Sequence, residues 1–390
     1  MTNAIGLGLY LHVPAFVERP GADFVQFYSA ALLSRNVPDR IYDVEAQKQT
    51  QKRFSAAARQ GVYWPYLHAP FFTVLLIPLS FLSYVGAYWV WSAFTVILCC
   101  SSIAIISCLD PTRRPPLRLA LAVAYAQPVL YWLIATGQTT AIALVFWTVA
   151  LVLMRERRVF WGAFALGFLS YRAQYLIVVL PLLFIRRLWL GILGIGASCL
   201  LLFALGVLVF SVDAYREYIN AVLSQSQRIV TLQQPLAHYV TLYGFFRRLV
   251  SHYPAVGFTI ASALPLIYWL LKMWRNVPSK QSPAFDLQWA FLMTATLLLM
   301  HHGFVYDLLL LAVPLLLLYP YRSLLPAYYK LVLIALYFIP YIFLMFPGKL
   351  PINPIQPILY WLCFEIYRVY TLVQPEAANV KMFSVPRVDV

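Results

Sequence analysis

The chain has 390 residues, of which 62% are hydrophobic and only 11% charged, and it carries a formal net charge of +15. Soluble domains hold roughly 45–50% apolar and about 25% charged residues, so a water-soluble globule is excluded and lipid is left as the solvent for this much apolar surface. The positive charge sits in small clusters at the ends of apolar runs instead of forming the basic stripe of a nucleic-acid groove, so no nucleic-acid partner is expected.

Ala4–Val17 is a first apolar run, short for a span, and it reads as a truncated or tilted first helix. It has neither a basic leader nor a small-residue cleavage site, which argues against a signal peptide. Residues 18–65 are then expected to form a first outer loop. Within it Phe24, Phe27, Tyr28, Ala31 and Leu32 recur at helical spacing, which predicts an amphipathic helix lying on the membrane surface. A second, more polar helical piece is expected near Val44–Arg59.

Further apolar runs follow at about 67–108, 117–135, 138–154, 159–171, 174–185, 188–210, 254–272, 284–302, 307–320, 328–346 and 356–372. At about 20 residues per span they predict about ten to twelve transmembrane helices. The block 67–108 could hold two spans, with a break at Pro78 or at Ser83–Gly86. One full span plus a re-entrant or interfacial piece keeps the basic clusters on a single side. Residues 159–185 form two short runs joined around Arg172.

The fold class expected is therefore an all-α, polytopic integral membrane protein, with one membrane domain over residues 1–390. Arg113 and Arg114, Arg155 with Arg157 and Arg158, Arg186 and Arg187, and Lys272 with Arg275 and Lys280 mark the cytoplasmic side. That assignment turns the first loop, the Gly137–Gln138 turn, a second outer loop at 211–253 and the His302 end outward, with 373–390 as a cytoplasmic tail. The five cysteines all lie in apolar runs and show no metal-binding spacing.

Four places carry candidate chemistry. Asp23, just after the first apolar run, can serve as a general base, because a partly desolvated carboxylate has a raised pKa. Spacing alone favours the plainer reading of a helix N-cap, which is far commoner. Arg172, with Gln174 beside it, is costly at that depth and calls for a partner such as an anionic head group or substrate; a snorkelling anchor explains it equally well. His302 and Tyr306 would share a face if their helix is continuous, and the histidine could bind phosphate or relay a proton. A helix end with interfacial aromatics is the plainer account of both. His68, between Pro65 and Pro70, reads first as part of a turn and helix start.

In order along the chain, these residues resemble glycosyltransferase family 87, membrane enzymes of the GT-C superfamily. Gly21, Asp23, Phe24, Phe27 and Tyr28 match its Gly-x-Asp-Phe and Phe-Tyr element, and Ile41-Tyr42-Asp43 its Leu-Tyr-Asp-like element. Tyr66-Leu67-His68-Ala69-Pro70-Phe71 resembles its Tyr-x-x-Pro-Pro-Phe helix entry, and Gly137-Gln138 its Gly-Gln pair. Arg172-Ala173-Gln174 replaces Lys-Pro-Gln, and His301-His302 followed by Tyr306-Asp307 matches Pro-His-x-x-x-Tyr-Asp without the proline. The lysine-to-arginine change keeps charge but alters donor geometry.

The resemblance implies a GT-C-like helical bundle in a bacterial inner membrane, with its active site facing outward. It implies a polyprenyl-phosphate sugar donor, with mannose the expected sugar, and a lipid or glycan acceptor among membrane lipids. Asp23 is then the catalytic base, with Arg172 and His302 as cations for the leaving phosphate. Gln174, Tyr306, Gln138 and His68 complete the expected substrate-binding set. No cofactor is implied if protein cations do this work, a divalent metal being the alternative. Two readings compete: a transporter or flippase of lipid or small solute, and an envelope-assembly scaffold. The absence of a clear repeat and the placement of acidic residues outside the apolar runs favour the enzyme.

Overall fold

The computed structural model describes residue 21 and residues 23–231, 239–275, 283–345 and 353–382; the first apolar run lies outside them. Among the described residues the regular structure is helical, apart from an isolated antiparallel bridge between Tyr239 and Phe304. Helix α1 is Phe24–Asn36, and α2 is Val44–Lys52, capped by the Asp43 carboxylate on the Ala46 N–H. Helix α3 starts at Pro70 and passes at Ile77 into a 3-10 stretch ending at Phe81. The chain turns at Leu82–Ser83, and the Ser83 hydroxyl caps the 25-residue α4, Tyr84–Cys108. The block 67–108 is thus one long helix preceded by one short piece.

Helices α5 (Leu117–Tyr125) and α6 (Pro128–Thr136) form a pair bent by 56°, and α7 runs Thr140–Arg155. Helix α8 (Val159–Gly167) continues as a 3-10 stretch, Phe168–Leu176, and then bends 102° into α9, Val179–Ile185. Helix α10 spans Trp189–Thr231 with a kink at Ser211, so the described part of the expected outer loop 211–253 is largely helical; it continues α10 and adds α11, Leu242–Leu249. Helices α12 (His252–Met273) and α13 (Pro283–Leu299) follow, then a 3-10 stretch, Val305–Leu311, leading into α14, Ala312–Leu318. Helices α15 (Tyr329–Met345) and α16 (Ile355–Met382) close the described chain, so the expected tail is helical up to Met382.

Among the described residues four helices are long and apolar enough to cross a membrane, and up to six if each bent pair is one span. Four more apolar helices of 10–17 residues, among them α7 and most of α13, are shorter than a full crossing. Proline, glycine and 3-10 breaks divide several of the apolar runs into these shorter helices. Helix α12 has only 22% of its apolar window buried and turns the rest outward, whereas Val305–Leu324 is 61% buried. An all-α polytopic membrane protein is the architecture.

Two expectations change. The spacing of Phe24–Leu32 does give a helix, but not one lying on a surface: Phe24, Val25, Phe27, Ser29, Ala30 and Ala31 have no exposure at all. The rings of Tyr84, Tyr88 and Trp91 on α4 pack around Phe24, so α1 belongs to the protein core. Arg114 and Arg155 are also more than interfacial anchors. Both reach Asp286 at the start of α13, where Arg114 is 1% exposed and the Asp286 side chain 4%. Arg114 Nη1 further donates to the carbonyls of Leu316 and Leu317 at 2.8 and 3.0 Å, so one buried ion cluster ties α7, α13 and α14 together.

Candidate active site

Helix α7 leads from that cluster to a second one. Its last residue, Arg155, pairs with Asp286, and its first, Thr140, donates to Asp307 at 2.7 Å. At 1.5 Å rise per residue the two polar centres are about 22 Å apart, at opposite ends of α7.

The second centre is assembled around a glycine turn. Helix α6 ends at Gly137, which adopts φ +75°, a left-handed conformation that glycine takes without strain. A Cβ there would collide with Phe24 of α1. The close approach lets the Asp23 N–H donate to the Thr136 carbonyl at 3.1 Å, and the Trp91 indole holds the Gly137 carbonyl at 2.9 Å. Asp23 is therefore pinned by its backbone at the start of α1, with its side chain released.

Asp23 stands in the N-cap position but makes no side-chain capping bond. Its carboxylate accepts instead from Gln138 Nε2 at 2.7 Å. Burial pushes its pKa above the ordinary carboxylate value; the Gln138 bond, the Arg172 charge and the nearby Trp64 side chain only partly offset this. The cap reading thus fails on geometry.

Gln138, 5% exposed, also accepts through Oε1 from Arg172 Nη2 at 3.3 Å. Arg172 lies at a break in the 3-10 stretch, with φ −135° and ψ 76°. Its Nη2 also donates to the Tyr306 hydroxyl at 3.3 Å, and the guanidinium stands over the Tyr306 ring. On the other edge, Nη1 donates to Asp307 at 3.0 Å and to the Tyr175 hydroxyl at 3.1 Å. Asp307 is fully buried and saturated: Thr140, Tyr175 and Arg172 donate to Oδ1, and the Phe304 N–H donates to Oδ2 at 2.9 Å.

The partner that Arg172 requires is thus an internal carboxylate. Tyr175 and Thr140 were not among the sequence candidates, and Asp307 was named there only as a motif residue beside Tyr306; an arginine at this depth calls for a partner, and an acid meets that need as well as a substrate does.

The two histidines flank this network as neutral groups. His302 is not on a helix continuous with Tyr306: α13 ends at Leu299, and a turn and the Tyr239–Phe304 bridge intervene. The i,i+4 argument therefore does not hold, although Phe304 packs against both rings. The His302 ring contacts the Tyr239 hydroxyl at 3.0 Å, and its carbonyl accepts from the Gln174 amide. Burial, followed by the Arg172 charge, pushes its pKa down to about 4, which favours the neutral imidazole near pH 7.

His68 sits among Phe27, Tyr66 and Phe72, and its Nδ1 faces the Tyr171 carbonyl at 3.3 Å. A carbonyl only accepts, so Nδ1 carries the hydrogen and Nε2 keeps its lone pair. Burial and then Arg172 lower its pKa to about 3. Asp23, Gln138, Arg172 and Tyr306 are therefore one hydrogen-bonded set, which Gln174, His302 and His68 border through the irregular backbone around Arg172. Among the described residues no three His, Cys, Asp or Glu side chains gather as a metal-ligand group.

The family model of glycosyltransferase family 87 matches residues 66–301, more than half of the chain. The chain belongs to glycosyltransferase family 87. The match on this glycosyltransferase includes His68, Gln138, Arg172 and Gln174; Asp23 lies before it, and His302, Tyr306 and Asp307 after it. No curated protein and no solved structure matches the chain.

Proposed function

We propose that this family-87 enzyme is an inverting GT-C-type glycosyltransferase that moves a sugar, mannose, from a polyprenyl-phosphate carrier to a hydroxyl of a lipid or glycan acceptor. The observation that carries the reading is the Asp23 carboxylate, which is free of capping duty, desolvated by burial and linked through Gln138 to the half-buried Arg172. In this reading the acceptor oxygen attacks the anomeric carbon while its proton passes to Asp23. The bond from that carbon to the phosphate oxygen breaks on the opposite face, and the electron pair leaves with the polyprenyl phosphate. A single displacement inverts the anomeric centre.

Arg172 is suited to the departing phosphate through Nη2, whose two contacts are long at 3.3 Å, while Asp307 retains Nη1. A preorganised donor of this kind typically contributes roughly 10²–10³-fold in rate. Neutral His302 and His68 serve as hydrogen-bonding groups, with Gln174 holding the His302 loop. The concentration of arginines at the Asp286 end supports an outward-facing site in a bacterial inner membrane, since basic residues favour the cytoplasmic side.

The test is transfer of radiolabelled sugar from a panel of polyprenyl-phosphate donors by purified enzyme, with Asp23→Asn as control. Transfer by the parent that is lost in a folded Asp23→Asn supports both the donor class and the base. Transfer by Asp23→Asn at the parental rate removes Asp23 from the chemistry. A folded parent that is silent with every donor favours the transporter reading.

A further inference from the structure

Gln138 is the residue through which the acceptor side and the donor side of the site touch. Its amide is used at both ends, Nε2 on Asp23 at 2.7 Å and Oε1 on Arg172 at 3.3 Å. Neither partner can take the other's place, since a carboxylate only accepts and a guanidinium only donates. The amide therefore has one orientation. Its backbone is also fixed, because Gln138 N–H donates to the Leu133 carbonyl at 3.0 Å immediately after the left-handed Gly137. The side chain is 95% covered, so its hydrogen-bonding atoms are committed within the protein.

We infer that Gln138 is a positioning residue and not a substrate ligand: it holds the Asp23 carboxylate in the attacking orientation and links that orientation to the Asp307-anchored Arg172. This inference rests on the glycosyl-transfer reading with Asp23 as base. The charged and titratable groups facing Asp23 are Arg172, from the 168–176 stretch, and Tyr306, from the 305–311 stretch. Arg172 in turn is held by Asp307 and Tyr175. Gln138 is the neutral member between the two charges. Removing its N–H therefore takes a hydrogen bond from the ionised form of Asp23, whereas replacing it with a carboxylate adds a repelling charge at the same point.

The experiment compares Gln138→Met and Gln138→Glu with the parent in pH profiles of kcat/KM, with separate kcat and donor KM, in detergent-purified enzyme. Gln138→Met is expected to lose about 10²-fold in kcat, the usual effect of a misplaced reacting group, with donor KM little changed. The acid limb of its profile moves to higher pH, and that of Gln138→Glu moves further in the same direction. A raised donor KM with an unmoved acid limb overturns the inference and makes Gln138 a donor ligand; unchanged kinetics overturn it outright. If Gln138→Met fails to fold, the direction of the Gln138→Glu limb decides alone. Asp23→Asn, run alongside, separates the failures. A dead Asp23→Asn beside an unaffected Gln138→Met sinks only this inference, whereas an active Asp23→Asn sinks the base assignment itself.

Discussion

The substitution Asp286→Asn isolates the ion cluster at the end of the bundle away from the site. Asp286 is the shared acceptor of Arg114 and Arg155, and the two differ in what they can do without it. The Arg155 side chain is 19% exposed and can turn toward water, whereas Arg114 is 1% exposed and keeps only its bonds to the Leu316 and Leu317 carbonyls. One buried uncompensated guanidinium remains, which places the cost near the low end of the ~3–5 kcal/mol for breaking a buried pair. At about 2–4 °C per kcal/mol, the apparent melting temperature in detergent should fall by roughly 6–12 °C.

The double variant Arg114→Met/Asp286→Leu removes both desolvated charges and should recover most of that loss. Intrinsic tryptophan fluorescence at one fixed heating rate reads both. Because the cluster and the Thr140–Asp307 contact lie at opposite ends of α7, about 22 Å apart, transfer per folded molecule should be unchanged in either variant. The reasoning is refuted if Asp286→Asn melts with the parent, or if the double variant melts no higher than the single.

Three further outcomes are expected. Gly137→Ala should cost about 1–2 kcal/mol from the left-handed backbone alone, and more from the collision with Phe24; a lower melting temperature together with a fall in kcat checks it. Arg172→Lys restores the residue type of the family motif but cannot span Asp307 on one edge and Gln138 with Tyr306 on the other. It should lose about tenfold or more in kcat/KM, read in the transfer assay.

The third concerns pH. His302 and His68 have folded pKa values lowered to about 4 and about 3, so below their unfolded value of about 6.5 the unfolded state binds the extra protons. Their contribution to stability is complete above that value and is lost as pH falls toward the folded ones. Asp23, with its raised pKa, opposes this: its contribution is present at low pH and is lost as pH rises through its folded value. Melting temperature should therefore drop between pH 7 and pH 5, and the slope should flatten in His68→Gln/His302→Gln.

The membrane class was legible from composition, and a break within 67–108 from Pro78 and the Ser83–Gly86 stretch, whereas the Ser83 cap that places it emerges only in the fold. Asp23, Gln138, Arg172 and Tyr306 were each legible as motif residues through the resemblance to glycosyltransferase family 87, and Asp23 and Arg172 also because charges beside apolar runs stand out. Their mutual contacts were not, since these depend on how α1, α6, the 168–176 stretch and the 305–311 stretch are brought together in space. Asp307 escaped for the same reason: beside Tyr306 it looks like an ordinary helix-start acid, and only the fold reveals three donors on one of its oxygens. The burial of α1 was misjudged because apolar residues at helical spacing face lipid or protein with equal ease. The lowered pKa values of the two histidines are likewise invisible in the sequence, since they come from burial and from the Arg172 charge.

The irregular stretch around Arg172 has a consequence for which length changes the chain can tolerate. Within five successive positions, the Tyr171 carbonyl meets His68, Arg172 meets Asp307 and Gln138, the Gln174 amide meets the His302 carbonyl, and Tyr175 meets Asp307. Adding or deleting one residue there would put all of these out of step at once. The exposed tip at Gly61, with nothing within 4 Å of where a side chain would begin, is free of that constraint. Among related chains, insertions are expected to accumulate at the tip and to be absent from 171–175.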